Sequence, residues 1–154
     1  MKRSKCTNSE DLEMWGFSEW HRLSFDNEEK LLKKLPLKTG IYAIKSDKPF
    51  GGFIENSDIV YIGSSREKKR GIRGRISQYF HPGPTQKTAK RINEKIIEYP
   101  NEFKISFLVK KVKKAKKVKK SNQVLSFENK LLTEYEEDHG ELPPFNRNIG
   151  IRHN

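Results

Sequence analysis

Two runs of β-branched and aromatic residues, Gly40-Ile41-Tyr42-Ala43-Ile44-Lys45 and Asp58-Ile59-Val60-Tyr61-Ile62-Gly63-Ser64, flank a polar, glycine-bearing stretch from Ser46 to Ser57. Side chains of this kind suit a pleated surface, and turn formers between two such runs return the chain on itself as a long-looped β-hairpin. Phe103 to Val112 alternates well enough to make a third strand. Between and after the strands the pattern turns helical. Asn27 to Leu35 predicts a short helix that Pro36 stops, and Ile72 to Phe80 a second that ends at His81-Pro82-Gly83-Pro84. Gln86 to Glu98 carries Ala89, Ile92 and Ile96 as a buried stripe, and a final helix starts near Ser121 or Asn122 and ends at Gly140. Pro143-Pro144 lead into an extended tail through Phe145 and Asn146. Residues 1–37, with Trp15, Phe17, Trp20, Leu23 and Phe25, read as an N-terminal extension packed on one domain spanning 38–154.

Charge decides the partner class. Lys and Arg number 32 against 20 Asp and Glu in 154 residues, a formal net charge of +12. An imbalance of this size repels itself unless a polyanion neutralises it, so nucleic acid is the expected partner. The sequence has no long apolar run, no signal-peptide core behind Met1 and no strongly amphipathic basic helix. Membrane association is therefore not expected, and a cytoplasmic setting is. Cys6, His21, His81, His139 and His153 show no zinc-ligand spacing. A low-complexity tract from Lys110 to Lys120 repeats Val112, Ala115 and Val118 at a period that fits neither strand nor helix. Its Lys113, Lys114, Lys116 and Lys117, with Arg70 and Arg73 earlier in the chain, are expected to touch phosphates without reading bases.

Three features carry chemistry. On the final helix Val124, Glu128, Leu131 and Tyr135 fall on one face, so a carboxylate interrupts an apolar stripe. Burying an unpaired charge is costly, and such a glutamate needs a cation, a metal or an open cleft beside it. Arg75 and Tyr79 project together from the helix that Ile72 and Ile76 anchor. A guanidinium presents paired donors to phosphate oxygens and keeps its charge at every relevant pH. Tyr42 and Tyr61 sit within the two strands, and His81 is a competing base by its near-neutral titration.

Gly40-Ile41-Tyr42 and Tyr61-Ile62-Gly63, followed in order by Arg75-Ile76-Ser77-Gln78-Tyr79-Phe80, by Phe127-Glu128-Asn129-Lys130-Leu131-Leu132 and by Pro144-Phe145-Asn146, resemble the GIY-YIG nuclease family. The likeness spans roughly residues 38–148 and includes the GIY-YIG domain of the bacterial excision-repair nuclease. It implies a small α+β fold with a three-stranded antiparallel sheet flanked by helices. It also implies metal-dependent hydrolysis of phosphodiester bonds, most readily in DNA, leaving 5′-phosphate and 3′-hydroxyl ends. By the same resemblance Tyr42, Tyr61, Arg75, Tyr79, Glu128 and Asn146 form the catalytic set. Glu128 would hold Mg²⁺ or Mn²⁺, Tyr61 would accept the water's proton, Tyr42 and Tyr79 would position water and phosphate, and Asn146 would hold the tail against the site. The chain departs from the commonest family pattern in a longer loop between Tyr42 and Tyr61, in residues inserted between Gly63 and Arg75, and in Ser64 where many relatives carry lysine. The competing expectations are a non-catalytic nucleic-acid-binding module on the same scaffold and a basic RNA-associated protein.

Overall fold

The hairpin forms from β2 (Gly40–Ser46) and β3 (Ile59–Ser65), antiparallel, with Tyr42 opposite Gly63 and Ala43 opposite Ile62. The structure, a computed structural model, describes residues 8–47, 57–109 and 120–146. β4 (Phe103–Leu108) pairs antiparallel with the other side of β2, which puts β2 inside the sheet and leaves β3 at one edge. The class is α+β, and the sheet has four strands where three are expected from the sequence. The additional strand is β1 (His21–Arg22), paired antiparallel with β4 through His21 and Ile105. Two residues are too few to show alternation, so only their pairing identifies them.

Both faces of the sheet are covered, which explains its near-continuous apolar strands. Tyr42, Ile44, Tyr61, Phe103 and Ile105 belong to one buried cluster, with Ile72, Ile76, Tyr79 and Phe80 of α3 (Gly71–Phe80) and Ala89, Ile92 and Ile96 of α4 (Lys87–Glu98). Leu31 and Leu35, in and just after α2 (Glu28–Lys34), join it. Ile41, Ala43, Ile59 and Ile62 belong to a second cluster with Val124, Leu131 and Tyr135 of α5 (Lys120–His139). The N-terminal residues contribute there too: Leu12 of α1 (Ser9–Met14) and Phe17 are buried in it. The short α1 is fixed by Asn8, whose side chain accepts from the Glu10 and Asp11 amides while Asp11 bonds back to the Asn8 amide. Trp15 lies against Phe127 with ring centroids 5.5 Å apart, Lys45 lies over the Trp20 ring, and Phe25 meets Phe80 edge-on. Among the described residues no helix is long and apolar enough to cross a membrane.

The glycines of the two strand tripeptides answer to close approach. A Cβ on Gly63 would lie 2.5 Å from Tyr61 Cε2 and 2.9 Å from the Tyr42 hydroxyl, because the Tyr42 ring covers its cross-strand partner. A Cβ on Gly40 would lie 2.6 Å from the Leu108 carbonyl oxygen and 2.8 Å from Ile72 Cδ1. Replacing Gly63 with Ala should therefore displace the tyrosine rings. The expected cost is about 1–3 kcal/mol of stability, as for other overpacked cores, read as a lower denaturant midpoint with the slope unchanged.

Candidate active site

The position of each side chain follows from the face of the sheet it serves. Val60 lies where the pairing slips: Ile44 opposes Tyr61, but Lys45 opposes Ile59. Such a bulge lets Val60 and Tyr61 both enter the cluster under α3, whereas Ile62 points to the α5 side. Ser64 follows Ile62 in alternation, and its hydroxyl donates to Glu128 Oε1 at 2.6 Å. One edge strand thus presents Tyr61 toward the Arg75 helix and Ser64 toward the Glu128 helix. Between them lies a cleft of about 330 Å³ lined in part by Tyr61, Ser64, Arg66, Arg75, Glu128 and Asn146.

The three tyrosines separate into two roles. Tyr61 lines the cleft at 4% exposure, while Tyr42 and Tyr79 are at 0% and stand behind it. The hydroxyls of Tyr42 and Tyr79 hydrogen-bond each other, and their ring centroids lie 6.1 and 6.5 Å from that of Tyr61. Tyr42 and Arg75 also lie close enough for each to shift the other's titration. Tyr42 and Tyr79 therefore lie behind Arg75 and Tyr61 and are not among the residues that line the cleft.

Burial raises the titration of all three hydroxyls above the ordinary phenol value. For Tyr61 the neighbouring Tyr42 and Glu128 add to the rise, and the Arg75 cation only partly opposes it. The neutral phenol is the resting form of the metal-free site. The sign for stability is definite: the folded values lie above the unfolded one. Their contribution is complete below about pH 10 and is lost as pH rises through the unfolded value toward the folded ones. Absorbance at 295 nm should accordingly show these phenols ionising only together with alkaline unfolding, monitored in parallel by circular dichroism.

Arg75 is the unsatisfied group of the site. Its Nη1 donates to Gln78 Oε1 at 3.3 Å, its Nε is buried with no hydrogen-bond partner, and no carboxylate pairs with it among the described residues. Burial opposes its charge, yet the oxygens of Tyr42 and Tyr79 around it outweigh that and its pKa stands raised. It remains a cation facing a cleft.

The other expected residues are distributed as follows. Asn146 is buried, and its amide closes on the backbone of Ile62, accepting from the Ile62 amide and donating to the Ile62 carbonyl, both at 2.9 Å. Arg73 turns elsewhere: its Nε donates to the Leu35 carbonyl at 2.8 Å, so it ties α3 to the end of α2 and is not among the cleft residues. Arg70 is exposed and reaches Ser77. His81, the competing base, is paired with Glu28 at 2.7 Å, is exposed and is not among the cleft residues. Lys113, Lys114, Lys116 and Lys117 lie outside the described residues. Sequence reasoning missed the Ser64 contact with Glu128 and the position of Arg66 at the cleft. Alternation from Ile62 was the available signal for Ser64.

The Glu128 carboxylate accepts from the Ser64 hydroxyl, and Tyr61 lines the same cleft. Among the described residues no group of three or more His, Cys, Asp or Glu comes together. One carboxylate with hydroxyl neighbours and an open cleft suits a hard divalent ion that keeps several waters, as Mg²⁺ does, and not a closed zinc cage. Compared with models of known protein families, with curated proteins and with solved structures, the chain matches none.

Proposed function

We propose that this chain is a metal-dependent endonuclease of the GIY-YIG type, acting on DNA in preference to RNA. The observation that carries the reading is the pairing of opposites across one cleft. A cationic Arg75 with a buried, unbonded Nε stands on one side, a half-buried Glu128 on the other, and the Tyr61 hydroxyl between them. The buried Arg75 Nε has no hydrogen-bond partner, and the non-bridging oxygens of a phosphodiester are acceptors that would satisfy it.

In this reading Arg75 binds the non-bridging oxygens of the scissile phosphate and offsets the charge that grows on them in the transition state. Tyr42 and Tyr79, hydrogen-bonded to each other, back Arg75 with their oxygens. Tyr61, neutral and nearly immobile in its packing, orients the attacking water through its oxygen. Glu128 and Ser64 would hold Mg²⁺ or Mn²⁺, which when bound stabilises the leaving 3′ oxygen. The water oxygen bonds to phosphorus as the bond to the 3′ oxygen breaks; the water gives up one proton to solvent and the departing 3′ oxygen takes one up, leaving 5′-phosphate and 3′-hydroxyl ends. The basic surplus of the chain supplies sequence-independent affinity for the backbone.

Incubation with supercoiled plasmid, single-stranded DNA and RNA, each with Mg²⁺ or EDTA, tests the proposal. Nicking and linearisation in Mg²⁺ and none in EDTA are expected. Retarded but uncut plasmid in Mg²⁺ would replace the reading with a non-catalytic binding module, and binding confined to RNA would replace it with an RNA-associated protein.

A further inference from the structure

Among the described residues the free edge of β3 is met by the turn Pro144-Phe145-Asn146 and not by another strand. Phe145 donates its amide to the Val60 carbonyl at 2.8 Å, and the Asn146 side chain brackets Ile62 with the two bonds described above. These contacts straddle Tyr61. They also fall on the bulge, where a ladder left open would allow Tyr61 to slip to the other face. The Phe145 ring packs 5.8 Å from that of Phe103, which seats the turn in the cluster beneath Tyr61.

The turn is held from outside by a side chain with little else to do. Arg91 of α4 donates from Nη2 to the Phe145 carbonyl at 3.0 Å. Its Nε is buried with no hydrogen-bond partner, and no carboxylate pairs with it among the described residues. A half-buried guanidinium without a counter-charge loses hydration for a small return, so a structural preference for arginine alone does not explain the position. Its single acceptor is the carbonyl that leads into Asn146. Thr88, one turn earlier on the same helix, lines the cleft.

We infer that Arg91 is a positioning residue: it clamps the Phe145–Asn146 turn onto the edge of β3 and thereby fixes where the Tyr61 hydroxyl stands in the cleft. The kinetic consequence rests on the nuclease reading, while the clamp itself does not. Arg91→Ala and Arg91→Lys in the full chain separate the two. Amide exchange followed by NMR should show the Ile62 amide opening roughly tenfold faster in Arg91→Ala while the inner-strand amides of β2 keep their rates, with Arg91→Lys recovering much of the protection. In plasmid cleavage kcat should fall roughly tenfold with KM little changed, because a displaced water-orienting group affects the reaction more than binding. Unchanged exchange at Ile62, or equal acceleration throughout β2, overturns the clamp. A raised KM with unchanged kcat also overturns it, since Arg91 would then be meeting substrate directly. If the wild-type chain fails to cleave, the nuclease reading falls, and the exchange rates still decide the clamp.

Discussion

Glu128→Gln should abolish Mg²⁺-dependent cleavage while leaving binding of uncut DNA and the melting temperature near those of the wild type. The glutamine keeps the shape of the side chain and an oxygen that can accept from the Ser64 hydroxyl, now 2.6 Å from Glu128 Oε1. The apolar residues on its face, Val124, Leu131 and Tyr135, are at 0% exposure and are untouched by the exchange. What disappears is the negative charge that would hold a divalent ion at the cleft. That interaction acts on the transition state more than on backbone contacts, so the loss belongs in kcat, at roughly 10³-fold or more for several kcal/mol of stabilisation. Plasmid nicking rates, electrophoretic retardation in EDTA and a thermal melt measure the three quantities. Full activity in this variant would remove Glu128 from the site.

Arg75→Ala should lower the cleavage rate about 10²–10³-fold, the scale seen when one donor to a developing oxyanion is removed. Arg73→Ala, only two residues away, should leave the rate almost unchanged. The contrast is physical. Arg75 has an unbonded Nε beside the cleft, whereas Arg73 spends its donors on the Leu35 carbonyl at 2.8 Å and the Lys33 carbonyl at 3.5 Å. Losing Arg73 should therefore appear as a modest fall in melting temperature through the α2–α3 contact, of order 1 kcal/mol for a charged donor on a carbonyl. Single-turnover cleavage of the two variants under equal loading reads the difference directly. A larger rate loss in Arg73→Ala than in Arg75→Ala would mean that the wrong arginine has been placed at the phosphate.

Much of the scaffold was legible because it is written in periodicity. The strands at 40–46, 59–65 and 103–108 and the helices at 71–80 and 87–98 lie close to the stretches that alternation, helical spacing and proline indicate. Ala89, Ile92 and Ile96 are buried at 1–2% exposure as their spacing requires. The N-terminal elements were not legible in the same way. α1 has six residues and β1 two, too short for any repeat.

By itself the sequence determined which residues share a face: Glu128 with Val124, Leu131 and Tyr135, and Arg75 with Tyr79, because a helix returns every three or four residues. It also determined the order in which tyrosine, arginine, glutamate and asparagine occur. Only the tertiary structure decided which of them meet. That Tyr61 reaches the cleft while Tyr42 and Tyr79 stand behind it depends on a bulge at Val60 and on the α3 rings packed beneath. The pairing of Ser64 with Glu128, the turn of Arg73 toward α2 and the hold of Arg91 on Phe145 are contacts across 64, 38 and 54 residues of chain. Local periodicity assigns a side chain to a face of its own element. Distance, burial and the resulting shift of a phenol's titration arise only where separate elements close on one another, since desolvation is a property of the packed interior and not of the chain.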